Sequence, residues 1–258
     1  MKDARYQEED RQDSTYRSKR FAVANTRWIM IVVFFVVCVF AGYFFSLSGF
    51  FAITDIEVYG NDSVDEQRIL ELSGVTEGMN IFAVNDAAVA AWLSIEPRIA
   101  EAKVSRRLPS TLTITVVERE ARAMLSVGAA FIEIDERGYI LDRYTALSQQ
   151  SVPLLSGVSD ISEALIPGCV VEGEGMAEAL EIIAALPEHA EDIGEINVAD
   201  PQFIKLYTVT GVEIRLGDSS DFAEKYLLYS SILADIQQSG RQDLQYIDVS
   251  IIAKPVIY

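Results

Sequence analysis

The chain has 258 residues, with 21 Lys and Arg against 39 Asp and Glu, one His and two Cys. A net charge of -18 argues against nucleic acid as a partner, because nucleic-acid binding requires a cationic surface. Two cysteines cannot by themselves make a disulfide framework or a four-ligand zinc site, and a single histidine disfavours catalytic triads and histidine-rich metal clusters. We therefore expect no metal and no cofactor.

The charges are distributed unevenly along the chain. Residues 1–27 carry seven bases and five acids, residues 28–54 carry no charge, and the remainder carries 14 bases and 34 acids. The uncharged stretch is long enough to cross a hydrocarbon layer, which takes about 20 helical residues. The pattern predicts a cytoplasmic tail over residues 1–27 and a transmembrane helix over residues 28–47.

Basic residues before the predicted span set its orientation. Those closest to the span are Arg17, Lys19, Arg20 and Arg27. Because no base follows the span until Arg68, the positive-inside rule places the N-terminus in the cytoplasm. Trp28 and Tyr43 are predicted to lie near the two membrane interfaces as aromatic anchors. A cleaved signal peptide is the alternative, but the long charged leader, the length of the apolar stretch and the lack of an A-x-A site following it favour an uncleaved, single-pass type II anchor.

The residues after the span, 50–119, predict the element order strand, helix, helix, strand, strand. Ile56 and Val58 alternate with polar positions, which is typical of a strand. Ser63 and Glu66 have the spacing of a capping box and predict the start of a helix that ends at Gly74.

A second helix is predicted from near Asn85 to Pro97. Two strands follow on either side of Pro109, and Arg106 interrupts the apolar face of the first. The second strand, Thr111 to Val117, alternates apolar and polar residues as a half-buried strand does.

The second half of the chain, residues 120–258, mixes strands and helices. The predicted elements are a hairpin around 131–141, a helix over 176–186, three strands between 193 and 216, a helix beginning after 220 and ending before 240, and closing strands over 245–251 and 255–258. This mixture predicts an α+β domain in which two helices pack on one sheet face.

The sequence offers weak candidates for catalysis. His189 lies among acids after a helix and is predicted to be a solvated surface residue. Asp135 and Glu136 lie in a turn, and Asp55 and Glu57 on the outward face of a strand, so neither pair is placed in a cleft. The sequence has no phosphate-binding loop, zinc-protease motif or serine-hydrolase motif. The enzymatic alternative is a membrane-anchored peptidoglycan hydrolase or transglycosylase that uses two of the carboxylates.

Several strings of the sequence carry a family resemblance. FFAITDIEVYGN, GMNIFAVN and EAKVSRRLPSTLTITVVERE resemble the POTRA module of the FtsQ/DivIB family of bacterial cell-division proteins. FIEIDERGYIL, SVPLLSG, GVEIRLG and YIDVSIIAKPVIY resemble the second, β-rich domain of that family. The resemblance covers about residues 28–258 and implies a POTRA domain over 50–119 and a β domain over 120–258.

The resemblance implies a non-enzymatic scaffold of the division complex, anchored in the cell membrane at the septum with its C-terminal domains outside the cytoplasm. The implied partners are FtsB/DivIC-like and FtsL-like proteins and other membrane proteins of septal wall synthesis. In this family the last strands of the β domain bind the FtsB/DivIC-type partner, and Pro255 is typical of a sheet edge. The predicted partner-binding residues are Tyr246, Ile251, Val256, Ile257 and Tyr258. A POTRA docking module for protein export is a further alternative, although such proteins normally carry tandem modules or a membrane barrel.

Overall fold

The computed structural model describes residues 27–146, 152–161, 165–187, 190, 192–239 and 244–258. Arg17, Lys19 and Arg20 of the predicted tail, and His189, lie outside the described residues. The described chain forms two compact units. One comprises residues 27–57, 75–85 and 105–113, and the other comprises residues 58–74, 86–104 and 114–258 without the gaps given above.

The first element, helix α1 (Arg27–Ser46), is long and apolar enough to cross a membrane, with a mean hydropathy of 2.7. It is the one helix of this kind in the described part of the chain. Its apolar side chains are exposed all round, Trp28 and Tyr43 among them. A helix that is hydrophobic on every face and unburied is typical of a membrane span. A short 3₁₀ turn, Gly49–Phe51, follows it.

The next five elements form the predicted POTRA arrangement. They are β1 (Asp55–Tyr59), α2 (Glu66–Ser73), α3 (Asp86–Leu93), β2 (Ile99–Arg107) and β3 (Thr111–Glu118). The three strands form one sheet in the order β1-β3-β2. Leu112, Ile114 and Val116 are buried on β3 while their neighbours are not, which confirms the predicted alternation.

The predicted start of α2 is wrong. The helix is capped by Asp65, whose Oδ1 accepts the N–H of Gln67 at 2.9 Å, and it begins at Glu66. The N–H of Ser63 instead donates to Glu118 at 2.9 Å. The carboxylate of Glu118, at the end of β3, therefore binds the segment in which the sequence predicted a capping box.

The rest of the described chain forms a nine-stranded mixed sheet with two helices. Its strands are β4 (Ala123–Val127), β5 (Ala130–Ile134), β6 (Ile140–Tyr144), β7 (Leu154–Ser156), β8 (Ile193–Asn197), β9 (Ile204–Thr208), β10 (Glu213–Gly217), β11 (Tyr246–Asp248) and β12 (Val256–Ile257). The helices are α4 (Met176–Ala185) and α5 (Phe222–Ser239). The sheet order is β12-β11-β10-β9-β8-β7-β4-β5-β6.

The two helices share one hydrophobic core with this sheet. Ile182 and Ile183 of α4 and Tyr229 of α5 are buried in the same cluster as Ile214 and Ile247 of the sheet. Helix α4 lies in the connection between the parallel neighbours β7 and β8, and α5 lies between the parallel neighbours β10 and β11. The predicted α+β domain with two helices on a sheet is confirmed.

Two arginines connect the end of the POTRA sheet to the β5–β6 hairpin. Arg98 donates to Glu133, and the Nη1 of Arg119 lies 3.2 Å from the carboxylate of Asp135. The guanidinium of Arg119 also lies 4.0 Å from the centre of the Tyr139 ring. These contacts fix both sides of the junction by charge-assisted hydrogen bonds.

Candidate partner-binding edge

The last strand, β12, is placed at one border of the nine-stranded sheet by a tight turn. Strand β11 runs parallel to β10, and β12 then returns antiparallel to β11 with Ile257 opposite Ile247. In the turn, Lys254 N–H donates to the carbonyl of Ile251 at 2.9 Å. Asp248 closes the start of the turn by accepting the N–H of Ser250 at 3.0 Å.

The backbone of Ile257 faces the open side of this border. Tyr246 and Tyr258 exchange two backbone hydrogen bonds, of 3.2 and 3.1 Å, and therefore form a hydrogen-bonded pair. In an antiparallel ladder the next pair, Ile247 and Ile257, directs its N–H and C=O groups away from each other. The main chain of Ile257 thus offers one donor and one acceptor to an added strand.

Pro255 has the same parity as Ile257 in this strand. Its backbone nitrogen carries no hydrogen. At this parity an N–H would point to the open border, so the pairing with β11 loses no hydrogen bond and the border has one donor fewer. Proline is therefore tolerated at position 255, because β12, which follows it, pairs with β11 on one side and has an open border on the other.

The side chains of the border are apolar and exposed. The exposed fractions are 61% for Ile251, 50% for Val256, 41% for Ile257 and 67% for Tyr258. Ile257 lies in register with the fully buried Ile247 and extends the core face of the sheet by one strand. An apolar side chain of an added strand would continue this face and cover Ile257.

Tyr246 is half-buried and belongs to a stack on the other face of the sheet. Its ring lies 5.5 Å from that of Tyr258 with an interplanar angle of 16°. The guanidinium of Arg215 lies 3.8 Å from the centre of the Tyr246 ring. The stack holds Tyr258 against the sheet although its ring is largely exposed.

Charged groups on β9 and β10 hold Arg215 in place. Its Nε donates to Glu213 at 2.6 Å, and Lys205 lies 3.5 Å from the other oxygen of the same carboxylate. The hydrogen bond to Glu213 raises the pKa of Arg215 above its ordinary value, and the same bond lowers the pKa of Glu213. Both groups therefore stay charged beside the aromatic stack.

The five predicted partner-binding residues lie close together in the fold. Tyr246 and Tyr258 are in ring contact, Val256 and Ile257 form β12, and Ile251 lies in the turn that joins the two strands. Sequence reasoning missed Arg215. Arg215 lies in a predicted strand, but only the parallel pairing of β10 with β11 brings it to Tyr246.

The predicted membrane anchors lie in α1 and not at the border of the nine-stranded sheet. Trp28 and Tyr43 lie towards opposite ends of α1, and their places at the two membrane interfaces stay a prediction. Arg27 is the first residue of that helix.

A cleft of about 780 Å³ elsewhere in the fold is lined by carboxylates and arginines. Glu118, Arg119, Asp135 and Glu136 contribute to it, so the expectation that Asp135 and Glu136 lie outside a cleft is wrong. Asp135 is buried and accepts N–H groups of Arg137 and Tyr139 at 2.9 and 2.8 Å in addition to its contact with Arg119. These carboxylate oxygens are engaged as acceptors within the fold, which is not the arrangement of a general acid.

Glu118 is also unsuited to donate a proton. Burial alone would raise its pKa, but backbone N–H groups of Asp62, Ser63 and Val64 donate to it and together hold the pKa below its ordinary value. A general acid of a glycosidase has the opposite shift. Among the described residues, no group of three or more His, Cys, Asp or Glu side chains is arranged to hold a metal ion.

An apolar helix long enough to span a membrane, a three-stranded sheet with two helices and a nine-stranded mixed sheet define a class of single-span proteins with a folded α+β portion. Comparison with known proteins narrows this class. A family model described as "POTRA domain, FtsQ-type" matches residues 51–119, and one described as "Cell division protein FtsQ/DivIB, C-terminal" matches residues 123–250.

The cell division protein FtsQ of Geobacter sp. (strain M21) is 31% identical over 208 residues, which cover 78% of this chain and 74% of the relative. The cell division protein DivIB of Clostridium tetani (strain Massachusetts / E88) is 24% identical over 212 residues, which cover 81% and 80%. A solved structure of the major extracytoplasmic domain of DivIB from Geobacillus stearothermophilus is 21% identical and covers 47% of this chain and 96% of its own, with a TM-score of 0.33. The chain belongs to the FtsQ/DivIB family of bacterial cell-division proteins.

Proposed function

We propose that this protein is a non-enzymatic scaffold of the bacterial division complex that captures a partner chain at the open border of β12. The observation that carries the proposal is the outward-facing main chain of Ile257, flanked by exposed apolar side chains. An extended segment can add to such a border by main-chain hydrogen bonds, and side-chain contacts then give selectivity. The family membership supports a role in division.

The proposed partners are FtsB/DivIC-like and FtsL-like proteins, through which the scaffold is linked to septal peptidoglycan synthesis. The added strand would place an apolar residue over Ile257 on the core face. On the other face, Tyr258 and the adjacent Tyr246–Arg215 stack favour an aromatic or acidic side chain.

The proposed location is the cell membrane at the septum. Helix α1 supports a single-pass anchor. The basic residues that precede it in the sequence support a cytoplasmic N-terminus, with the POTRA and β domains on the other side.

Charge-introducing variants of the full-length protein test the border. Ile257→Glu and Tyr258→Lys should each weaken capture of the partner ectodomain in pull-downs by at least about tenfold, as loss of an interface hot spot does. The matched controls are Val209→Glu and Phe203→Lys, because both residues are exposed apolar side chains of the same domain. All four variants should retain the thermal unfolding transition of the unmodified protein.

Two results would contradict the proposal. Unchanged capture by both border variants would remove β12 as the binding site. Release of soluble fragments from peptidoglycan by the purified protein would instead support the hydrolase alternative.

A further inference from the structure

A group of aromatic side chains lies where α1 meets the first part of the POTRA module. We call it the juxtamembrane patch. It consists of the rings of Phe45, Phe50, Phe51 and Phe82, together with the exposed side chain of Met79 on the same loop as Phe82. Ring centres are 5.6 Å apart for Phe45–Phe50, 5.3 Å for Phe45–Phe51, 5.1 Å for Phe50–Phe51 and 5.0 Å for Phe51–Phe82. Despite these contacts, Phe45, Phe50 and Phe82 remain 56%, 58% and 48% exposed. The patch is therefore a cluster that is packed on one side and uncovered on the other.

Hydrogen bonds attach the loop that carries Met79 and Phe82 to the end of α1. The side-chain amide of Asn80 donates to the carbonyl of Ser46, the last residue of the helix, at 2.7 Å. The N–H of Ile81 donates to Phe51 O at 2.9 Å, and the N–H of Ile53 donates to Met79 O at 2.8 Å. The loop and the helix end thus form one hydrogen-bonded structure, and the loop cannot move away from the helix end without losing these bonds.

Arg106 satisfies backbone acceptors of the same loop. Its guanidinium donates to the carbonyl of Ile81 at 2.9 Å and to the carbonyl of Val84 at 2.7 Å. Carbonyl groups that already have a donor cost less to move out of water. This is the structural reason for the arginine that interrupts the apolar pattern of β2.

The loop carries no charged side chain over residues 78–85, and the flanking charges are Glu77 and Asp86. The segment between α1 and β1 is also uncharged. The patch therefore has no charged residue of its own, and Arg106 approaches its loop at the backbone carbonyls of Ile81 and Val84. Aromatic side chains at such a position are enriched at membrane–water interfaces.

We infer that the juxtamembrane patch binds the boundary between lipid headgroups and acyl chains in the membrane that α1 crosses. Continuity with the span selects lipid as the occupant, because the hydrogen bond from Asn80 to Ser46 joins the loop directly to the last residue of α1. The contact is apolar and does not require anionic lipid. It fixes the start of the POTRA module at the membrane surface, independently of any partner at β12.

Tryptophan fluorescence in lipid nanodiscs tests the inference on the full-length protein. The two native tryptophans are replaced (Trp28→Phe and Trp92→Phe), and Phe82→Trp provides the reporter. Phosphatidylcholine brominated near the headgroup end of its acyl chains should quench roughly half of the emission, as expected for a group about 5–10 Å inside the boundary. The matched control is Phe203→Trp in the same background, since Phe203 is an exposed phenylalanine outside the patch. The control should keep its emission.

A second reporter and a salt series make the result decisive. Met79→Trp should be quenched as Phe82→Trp is, and quenching of both should persist at high salt because the contact is apolar. Equal emission of Phe82→Trp in brominated and ordinary lipid would overturn the inference. Equal quenching of the Phe203→Trp control, or loss of quenching at high salt, would also overturn it.

Discussion

The carboxylate of Glu118 joins the end of β3 to the segment before α2. It accepts backbone N–H groups of Asp62, Ser63 and Val64 at 2.8, 2.9 and 2.9 Å. One side chain thus satisfies three donors that would otherwise need water or a local cap. The pKa of Glu118 is lowered because these donors outweigh the effect of burial.

The substitution Glu118→Gln tests this role. A glutamine keeps the shape but loses one acceptor oxygen and the charge, so we expect the free energy of unfolding at neutral pH to fall by about 1–3 kcal/mol. Because the folded pKa is the lower one, the contribution of Glu118 is present above its unfolded pKa and is lost as the pH falls through the folded value. Urea unfolding of both proteins from pH 7 into acid should show the difference shrink. Parallel curves at all pH values would refute the role.

Gly60 lies where β1 ends, and its conformation leaves no room for a side chain. Its φ is +83°, and an added Cβ would lie 2.1 Å from the carbonyl oxygen of Val116. Gly211 has a similar φ of +87° but no atom within 4 Å of the added Cβ.

The pair of variants Gly60→Ala and Gly211→Ala separates backbone strain from collision. Gly211→Ala should cost about 1–2 kcal/mol, the strain of a left-handed alanine. Gly60→Ala should cost clearly more, about 3 kcal/mol or above, because the strand must also shift. Thermal and urea unfolding measure both, and equal losses would show that the close approach to Val116 is harmless.

At the scale of elements, the binding proposed for the last hairpin uses different backbone groups from those that pair β12 with β11. Hydrogen-bonded and non-hydrogen-bonded pairs alternate along this ladder, and Tyr246–Tyr258 is a hydrogen-bonded pair. Val256 and Asp248 lie two positions further along and form the next such pair, so the N–H of Val256 faces β11. The N–H of Ile257 faces outward.

Replacing single amides by esters tests this division, and the nearness of both positions to the C-terminus makes semisynthesis practical. An ester at Ile257 removes the outward donor and should weaken partner binding by about 1 kcal/mol, roughly fivefold in Kd, without a change in stability. An ester at Val256 should lower the free energy of unfolding instead. The proposed main-chain pairing fails if the Ile257 ester binds as well as the amide.

The pattern of apolar residues predicted some elements better than others. Alternation over Thr111–Val117 located β3 because nearly every second residue is buried there. Strand β7 (Leu154–Ser156) has three residues, too few for a period to show, and sequence analysis predicted neither it nor β4 (Ala123–Val127) as separate strands. The first closing strand was predicted to reach Ile251, but it ends at Asp248 because the Asp248 side chain binds Ser250 and turns the chain.

Contacts between residues distant in sequence were beyond prediction. The cap of α2 was misplaced because Glu118, more than 50 positions away, binds the preceding segment. The exposed apolar border was predictable from the residues after Tyr246, whereas the Arg215 contact depends on a crossover through α5.

At the scale of the whole molecule, the junction between the POTRA sheet and the β5–β6 hairpin depends on Arg98 and Arg119. Arg98 binds both Glu133 and the Tyr144 hydroxyl, which lies 3.2 Å away. Burial acts to lower the pKa of Arg98, but attraction to Glu133 and the other partners outweighs it, and the net shift is upward. The guanidinium therefore stays charged at the junction.

A double-mutant cycle tests whether this junction is coupled. Arg98→Met and Glu133→Gln are made singly and together, and urea unfolding gives the coupling free energy. We expect about 1–3 kcal/mol, because each single change leaves a charged or polar partner with reduced pairing. Additive losses would mean that the two side chains meet without stabilising the junction.

The imino ring at position 255 limits what can extend this sheet. A segment added at this border would meet a backbone donor at Ile257 but only a carbonyl group at Pro255. The register in which such a segment can pair is therefore restricted. Two copies of the chain that paired through β12 would each lack the Pro255 donor, so the sheet between them would not be continuously hydrogen-bonded. On the proposed function, the missing donor at Pro255 would disfavour pairing between two copies of the chain at the border meant for the partner.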